Sequence, residues 1–119
     1  MFVGGVPAER VPDYLRLADF CIQPSHFEAF GTAALEAMAA GLPVIASDVG
    51  GLKDFVEPGV NGLRVPPKDS AALASALTAL VSDGGLRARL SEGARRTAVR
   101  YDIPHVLGQF AALIDAVAA

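Results

Sequence analysis

The sequence predicts an α/β domain: a short parallel sheet of three to four strands flanked by helices, followed by an all-helical C-terminal part. Three observations carry this. Short apolar segments alternate with helical patterns through residue 68, the order expected of βα units. From Asp69 onward the apolar residues recur at helical spacing and no strand pattern follows. The chain is 52% hydrophobic but only 7% aromatic, so small and branched side chains fill the core, which suits helices packed closely on a buried sheet. At 119 residues it makes one domain, with a βα part over 1–68 and helices over 69–119.

The elements follow in order. "MFVGG" offers a first short strand, and "PDYLRLA" a helix with Pro12 near its first position, where a missing N–H costs nothing. "DFCIQP" is the next strand and "SHFEAF" a loop. The helix from about Gly31 to Ala40 stops at Gly41, suited to the residue after a helix. "PVIAS" is a third strand with Pro43 at its start. A short helix over Leu52 to Val56 and Pro-Gly and Asn-Gly turns lead to the strand "LRVPP". Asp69 caps a helix with a stripe of Leu73, Leu77, Leu80 and Val81, which Asp83-Gly84-Gly85 breaks. A second helix carries Leu86, Leu90, Ala94 and Tyr101 with its Arg residues on a solvated face. Asp102 and Pro104 open a third, striped by Val106, Phe110, Leu113, Ile114 and Val117.

Charge and composition exclude several functions. A net charge of −3 argues against nucleic acid as a partner, because phosphate-backbone affinity needs many Lys and Arg contacts. The single Cys21 rules out an internal disulfide and sits in an apolar run as a small hydrophobe. No apolar stretch is long enough for a transmembrane segment, and the N-terminus lacks a signal-peptide pattern, so a cytoplasmic location is expected.

The informative stretch is "EAFGTAALEAMAAGLPV", residues 28 to 44. Between Phe30 and Val44 the only charge is Glu36, and a carboxylate in so apolar a helix needs a reason. A strand, a loop and a helix N-terminus in succession form the usual ligand position of an open α/β sheet. The free amides from Phe30 to Ala33 then favour a phosphate, and Gly31 is expected to let a ligand approach the backbone. Glu36 lies four residues after Thr32 on the same face, and Glu28 stands in the loop above. Two acidic groups around one anion-binding helix tip suit a ligand with hydroxyls on either side of a phosphate, as in a nucleotide-sugar. The bland alternative has Glu36 bridging to Lys53 or an Arg.

These residues resemble the retaining glycosyltransferases of family 4, whose GT-B fold sets two Rossmann-like domains face to face. The matching text is "ADFCIQPSHFEAFGTAALEAMAAGLPVIASDVGGLKDFVEPGVNGLRVPPKD", with a Glu-x7-Glu motif, an "EAMAAGLPVIAS" segment, a Gly-Gly loop and a "GVNGLRVPP" turn. The resemblance implies that the chain is a partial Rossmann-like, donor-binding domain. It implies that Glu28 is the catalytic-site carboxylate gripping donor-sugar hydroxyls, that Glu36 binds the ribose, and that the backbone of Phe30, Gly31, Thr32 and Ala33 contacts sugar and diphosphate. The reaction is transfer of a sugar from a nucleotide-diphosphate donor with retained configuration, with no cofactor beyond that substrate and no metal.

The family's Arg and Lys pair, which neutralises the departing diphosphate, has no counterpart here, and neither does its acceptor-binding domain. The isolated chain is therefore expected to turn over poorly. The further candidates are Ser25, expected to close the loop by a side-chain bond to backbone, and His26, Gly50 and Gly51, the glycines being explained equally well as a structural turn. Lys53 either reaches a phosphate or pairs with Asp54 or Glu57. An alternative from a different class is a non-catalytic homo-oligomeric module, a homodimer joined through an exposed sheet edge or the C-terminal helix. A nucleotide-sugar epimerase on the same fold is the remaining alternative.

Overall fold

The computed structural model describes residues 2–102 and 111–117. Three strands, β1 (Cys21–Gln23), β2 (Val44–Ser47) and β3 (Gly62–Val65), form a parallel sheet in the order β1-β2-β3. Cys21 pairs with Val44, Gln23 with Ala46 and Ser47 with Val65. All four residues of β2 are buried, as expected of a central parallel strand covered on both faces. Helix α2 (Thr32–Ala39) returns the chain from β1 to β2, and the short α3 (Leu52–Phe55) precedes β3. A 3-10 turn (Ala8–Arg10) and α1 (Val11–Leu15) come before the sheet, and α4 (Ser70–Ser82) and α5 (Gly84–Arg100) follow it.

Alternation along β2 divides the core in two. On one face Val44 and Ala46 meet Ala34, Ala37 and Met38 of α2, Leu52 and Phe55 of α3 and Ala94 of α5. On the other, Ile45 and Val65 meet Ala76 and Leu80 of α4 and Leu90 of α5. The small residues of α2 let α5 lie close, and Ser91 Oγ donates to the Gly41 carbonyl across that seam at 2.5 Å. Gly41 has φ +81, the left-handed conformation that ends α2.

The Asp69 cap forms as expected, and Asp83, expected only as part of a break, is a second cap. Asp69 accepts from the Ala72 amide at 2.9 Å, and Asp83 ends α4 while capping α5 through the Leu86 amide at 2.9 Å. Gly84 and Gly85 thus open α5, so the interhelix break is a single capping residue.

Several expectations are corrected. Phe2 to Gly5 form no strand: among the described residues no segment pairs with the free edge of β1, Gly4 has φ +75, and Phe2 is fully exposed. Three strands are therefore present among the described residues. Val81 is exposed, and Ala76 takes the buried position that the Leu stripe had assigned to it. The arginines of α5 are not merely solvated: Arg87 donates to the Leu80 and Val81 carbonyls at the end of α4, and Arg100 lies 3.7 Å from Glu57. The stretch 111–117 is helical, with Leu113, Ile114 and Val117 exposed; Val106, Phe110 and the proposed start of that helix lie outside the described residues.

Candidate functional site

The site is built at the carboxyl edge of the sheet, where β1 ends and the chain runs through the 24–31 loop into α2. Gly31 is the N-cap of α2 at φ +101 and brings no side-chain hydrogen bond, so the first-turn amides of Thr32 and Ala33 are uncapped and both residues are exposed. The first intrahelical bond runs from the Leu35 amide to the Gly31 carbonyl at 3.1 Å. Gly31 itself is buried. A Cβ there would stand 2.7 Å from Leu52 Cδ2 and 3.0 Å from Phe55 Cζ, so packing and the positive φ both require glycine here.

The loop above α2 is clamped by the turn after β2. The Gly51 amide donates to the Glu28 carbonyl at 3.1 Å. A Cβ on Gly50 would lie 1.7 Å from the Glu28 carbonyl oxygen, and one on Gly51 would lie 2.4 Å from the Ala29 oxygen. The Gly-Gly pair is thus the platform on which the motif loop rests, and its role in the site is to place that loop. Phe30 is half exposed and its ring joins Phe55 and Tyr101 in a three-ring cluster, at centroid distances of 6.1, 6.2 and 5.7 Å. That cluster anchors the second end of the loop.

The two carboxylates differ in environment. Glu28 is half-buried, and Gln23 Nε2 donates to its Oε2 at 2.7 Å. Glu36 is exposed and, among the described residues, its carboxylate makes no hydrogen bond or ion pair, so the bridge to Lys53 or an Arg is absent. It lines a groove of about 490 Å3 between α2 and α1, with Ala8, Val11, Pro12, Leu15 and Arg16. Arg16, in the same groove, pairs with Asp13 at 3.2 Å and not with Glu36.

The remaining candidates separate. His26 is exposed and lines a different groove of about 250 Å3 with Ser47, Lys68 and Ser70, on the α4 side of the edge. Neither groove includes Glu28 or Thr32. Ser25 makes no side-chain bond to backbone among the described residues, contrary to expectation. Lys53 pairs with neither Asp54 nor Glu57; its carbonyl accepts from Arg64 at 3.3 Å, and Arg64 also faces Asp48 at 3.6 Å. Burial pushes the Cys21 thiol up, so it stays a protonated packing group. No group of three or more His, Cys, Asp or Glu is arranged to hold a metal among the described residues, and no described helix is long and apolar enough to cross a membrane. Sequence reasoning missed Gln23 altogether; its one signal was a polar amide ending an otherwise apolar strand.

Comparison with known proteins identifies a family and a fold. A family model described as "Glycosyl transferases group 1" matches residues 1–97. The chain is 47% identical over 96 residues to a D-inositol 3-phosphate glycosyltransferase of Xylanimonas cellulosilytica, covering 81% of this chain and 23% of that one. Among solved structures it is similar to the sucrose-phosphate synthase of Thermosynechococcus elongatus, with TM-score 0.84 and 38% identity over 98% of this chain and 30% of that one. It is similar also to Anabaena HepE in complex with UDP and glucose, with TM-score 0.85 and 30% identity over 95% of this chain and 31% of that one. The chain spans about a quarter of the length of the curated relatives it matches.

Proposed function

Because the chain belongs to the group 1 glycosyltransferases, we propose that it is the donor-binding portion of a retaining enzyme of family 4, which moves a sugar from a nucleotide diphosphate to an acceptor. The observation that carries this reading is the α2 tip: uncapped amides flanked by one carboxylate held in place and another left open. The amides of Thr32 and Ala33 and the positive end of the helix dipole receive the diphosphate. The open Glu36 accepts from ribose hydroxyls in the α1 groove, and Glu28 accepts from hydroxyls of the transferred sugar. Attack occurs on the face from which the diphosphate leaves, so no protein nucleophile is needed.

The positive charge that stabilises the leaving diphosphate, and the acceptor-binding surface, come in this reading from polypeptide outside these 119 residues. The isolated chain therefore binds donor weakly and turns over poorly. The UDP held by HepE makes uridine the first base to try. Calorimetry of the folded chain with UDP, GDP and ADP is expected to give binding by at least one in the millimolar range or tighter; heat-silent titrations with all three would remove the assignment.

A second reading, of a homodimeric module, is favoured by one feature. Among the described residues β1 pairs on one side only, and its Ile22 is 40% exposed. Sedimentation at rising concentration is expected to show a dimer on this reading, and a persistent monomer eliminates it.

A further inference from the structure

We propose that Gln23 is a positioning residue of the donor site, holding one oxygen of the Glu28 carboxylate so that the other faces the transferred sugar. The proposal rests on the donor-site reading above and deepens it. Gln23 is the last residue of β1 and lies in register with Ala46, whose side chain is in the core beneath α2. The amide is therefore set on the α2 face, at the end of a strand whose other residues are apolar.

Its hydrogen bonding is lopsided. Nε2 donates to Glu28 Oε2 at 2.7 Å, while Oε1 is buried with no partner among the described residues. The opposite amide orientation would set a carbonyl oxygen against a carboxylate, so the bond to Glu28 dictates which end is left unpaired. A side chain present only to fill this space would be Leu or Met, which leave no acceptor unmet. A local rule broken in this way, beside a candidate ligand carboxylate, marks a residue kept for the site.

Gln23 also completes a restraint that the backbone begins. The Gly51 amide fixes the Glu28 carbonyl, and Gln23 fixes its side chain, so both ends of the residue are held. Glu28 Oε1 accepts no bond from the protein among the described residues and is the oxygen presented to a sugar hydroxyl. Hydrogen bonds to a carboxylate depend on direction, so a carboxylate held in one rotamer binds a fixed hydroxyl better than a mobile one.

The competing reading, a loop clasp with no bearing on ligand, is separated by a double-mutant cycle. Dissociation constants are measured for UDP and UDP-glucose, GDP and GDP-mannose, and ADP and ADP-glucose with the wild-type chain, Gln23→Met, Glu28→Gln and the double variant. The quantity read is the sugar increment, the ratio of the diphosphate constant to that of its sugar. Gln23→Met is expected to lower this increment about five- to tenfold, and to lower it no further once Glu28→Gln is present. An unchanged increment, or an equal loss in both backgrounds, overturns the proposal.

A wild-type chain that binds a diphosphate but gains nothing from the sugar overturns this inference and leaves the donor-site reading standing. One that binds no diphosphate overturns both. Circular-dichroism melts accompany each variant, and Gln23→Leu stands in if Gln23→Met does not fold; if neither folds, Gln23 belongs to the fold and the proposal falls.

Discussion

Two loops at the edges of this sheet are clamped with similar precision, yet only one uses up its polar groups. In the turn before β3, Asn61 is fully buried and every side-chain polar atom is employed. Its Nδ2 donates to the Phe55 carbonyl and to Thr97 Oγ1, both at 2.7 Å, and its Oδ1 accepts from the Glu57 amide at 2.8 Å. Gly93 of α5 lies so close beneath that a Cβ would stand 1.8 Å from the Val60 carbonyl oxygen. The loop before α2 is equally pinned by Gly50 and Gly51, but among the described residues around it the Glu36 carboxylate on α2 has no partner, the first amides of α2 are uncapped and Gln23 Oε1 at the end of β1 is unpaired. Closed hydrogen bonding marks a part of the scaffold; open groups on a rigid loop mark a place prepared for something else.

Substitutions break or sharpen this contrast. The largest effect is expected from Asn61→Ala, which strands a buried carbonyl and a buried-side amide partner at once and should cost about 3 kcal/mol of stability, read from the urea midpoint. A loss under about 1 kcal/mol would mean that water replaces those bonds and that the turn is less closed than it looks.

Gly50→Ala comes next. At φ +48, with no room before the Glu28 oxygen, it should cost about 2 kcal/mol and also displace the motif loop, so nucleotide-sugar binding falls with stability. Retained binding in a destabilised variant would separate the clamp from the site.

The smallest effect on folding is expected at Glu36→Gln, within about 0.5 kcal/mol, because the side chain is exposed and unpaired. Calorimetry should nevertheless report about tenfold weaker nucleotide binding, the size of one charge-assisted bond. A stability loss with unaltered affinity would move Glu36 from the open loop's class to that of Asn61.

Much of this was legible in the chain. The capping carboxylate Asp69, the end of α4 at Asp83 and the stop at Gly41 depend on neighbours in sequence and formed as read, and the apolar runs of β1, β2 and β3 found the partner strands they need. Phe2 to Gly5 did not, because an apolar pentapeptide becomes a strand only beside a partner strand. Glu28 and Glu36 were found by their spacing around a helix start, a local property. The packing role of Gly31 was not legible, because its neighbours Leu52 and Phe55 lie more than twenty positions away and only folding brings them together.

By itself the sequence determined the α/β order, the helix ends and the acidic residues around the α2 tip, since each follows from propensity, spacing and capping within a few residues. Tertiary structure alone decided that Gly50 and Gly51 support the Glu28 loop, that Gln23 holds the Glu28 carboxylate, and that Glu36 faces the groove under α1. Those relations join segments that no periodicity connects, and they exist only once burial of Val44 to Ser47 between two helical layers has fixed where each loop must end.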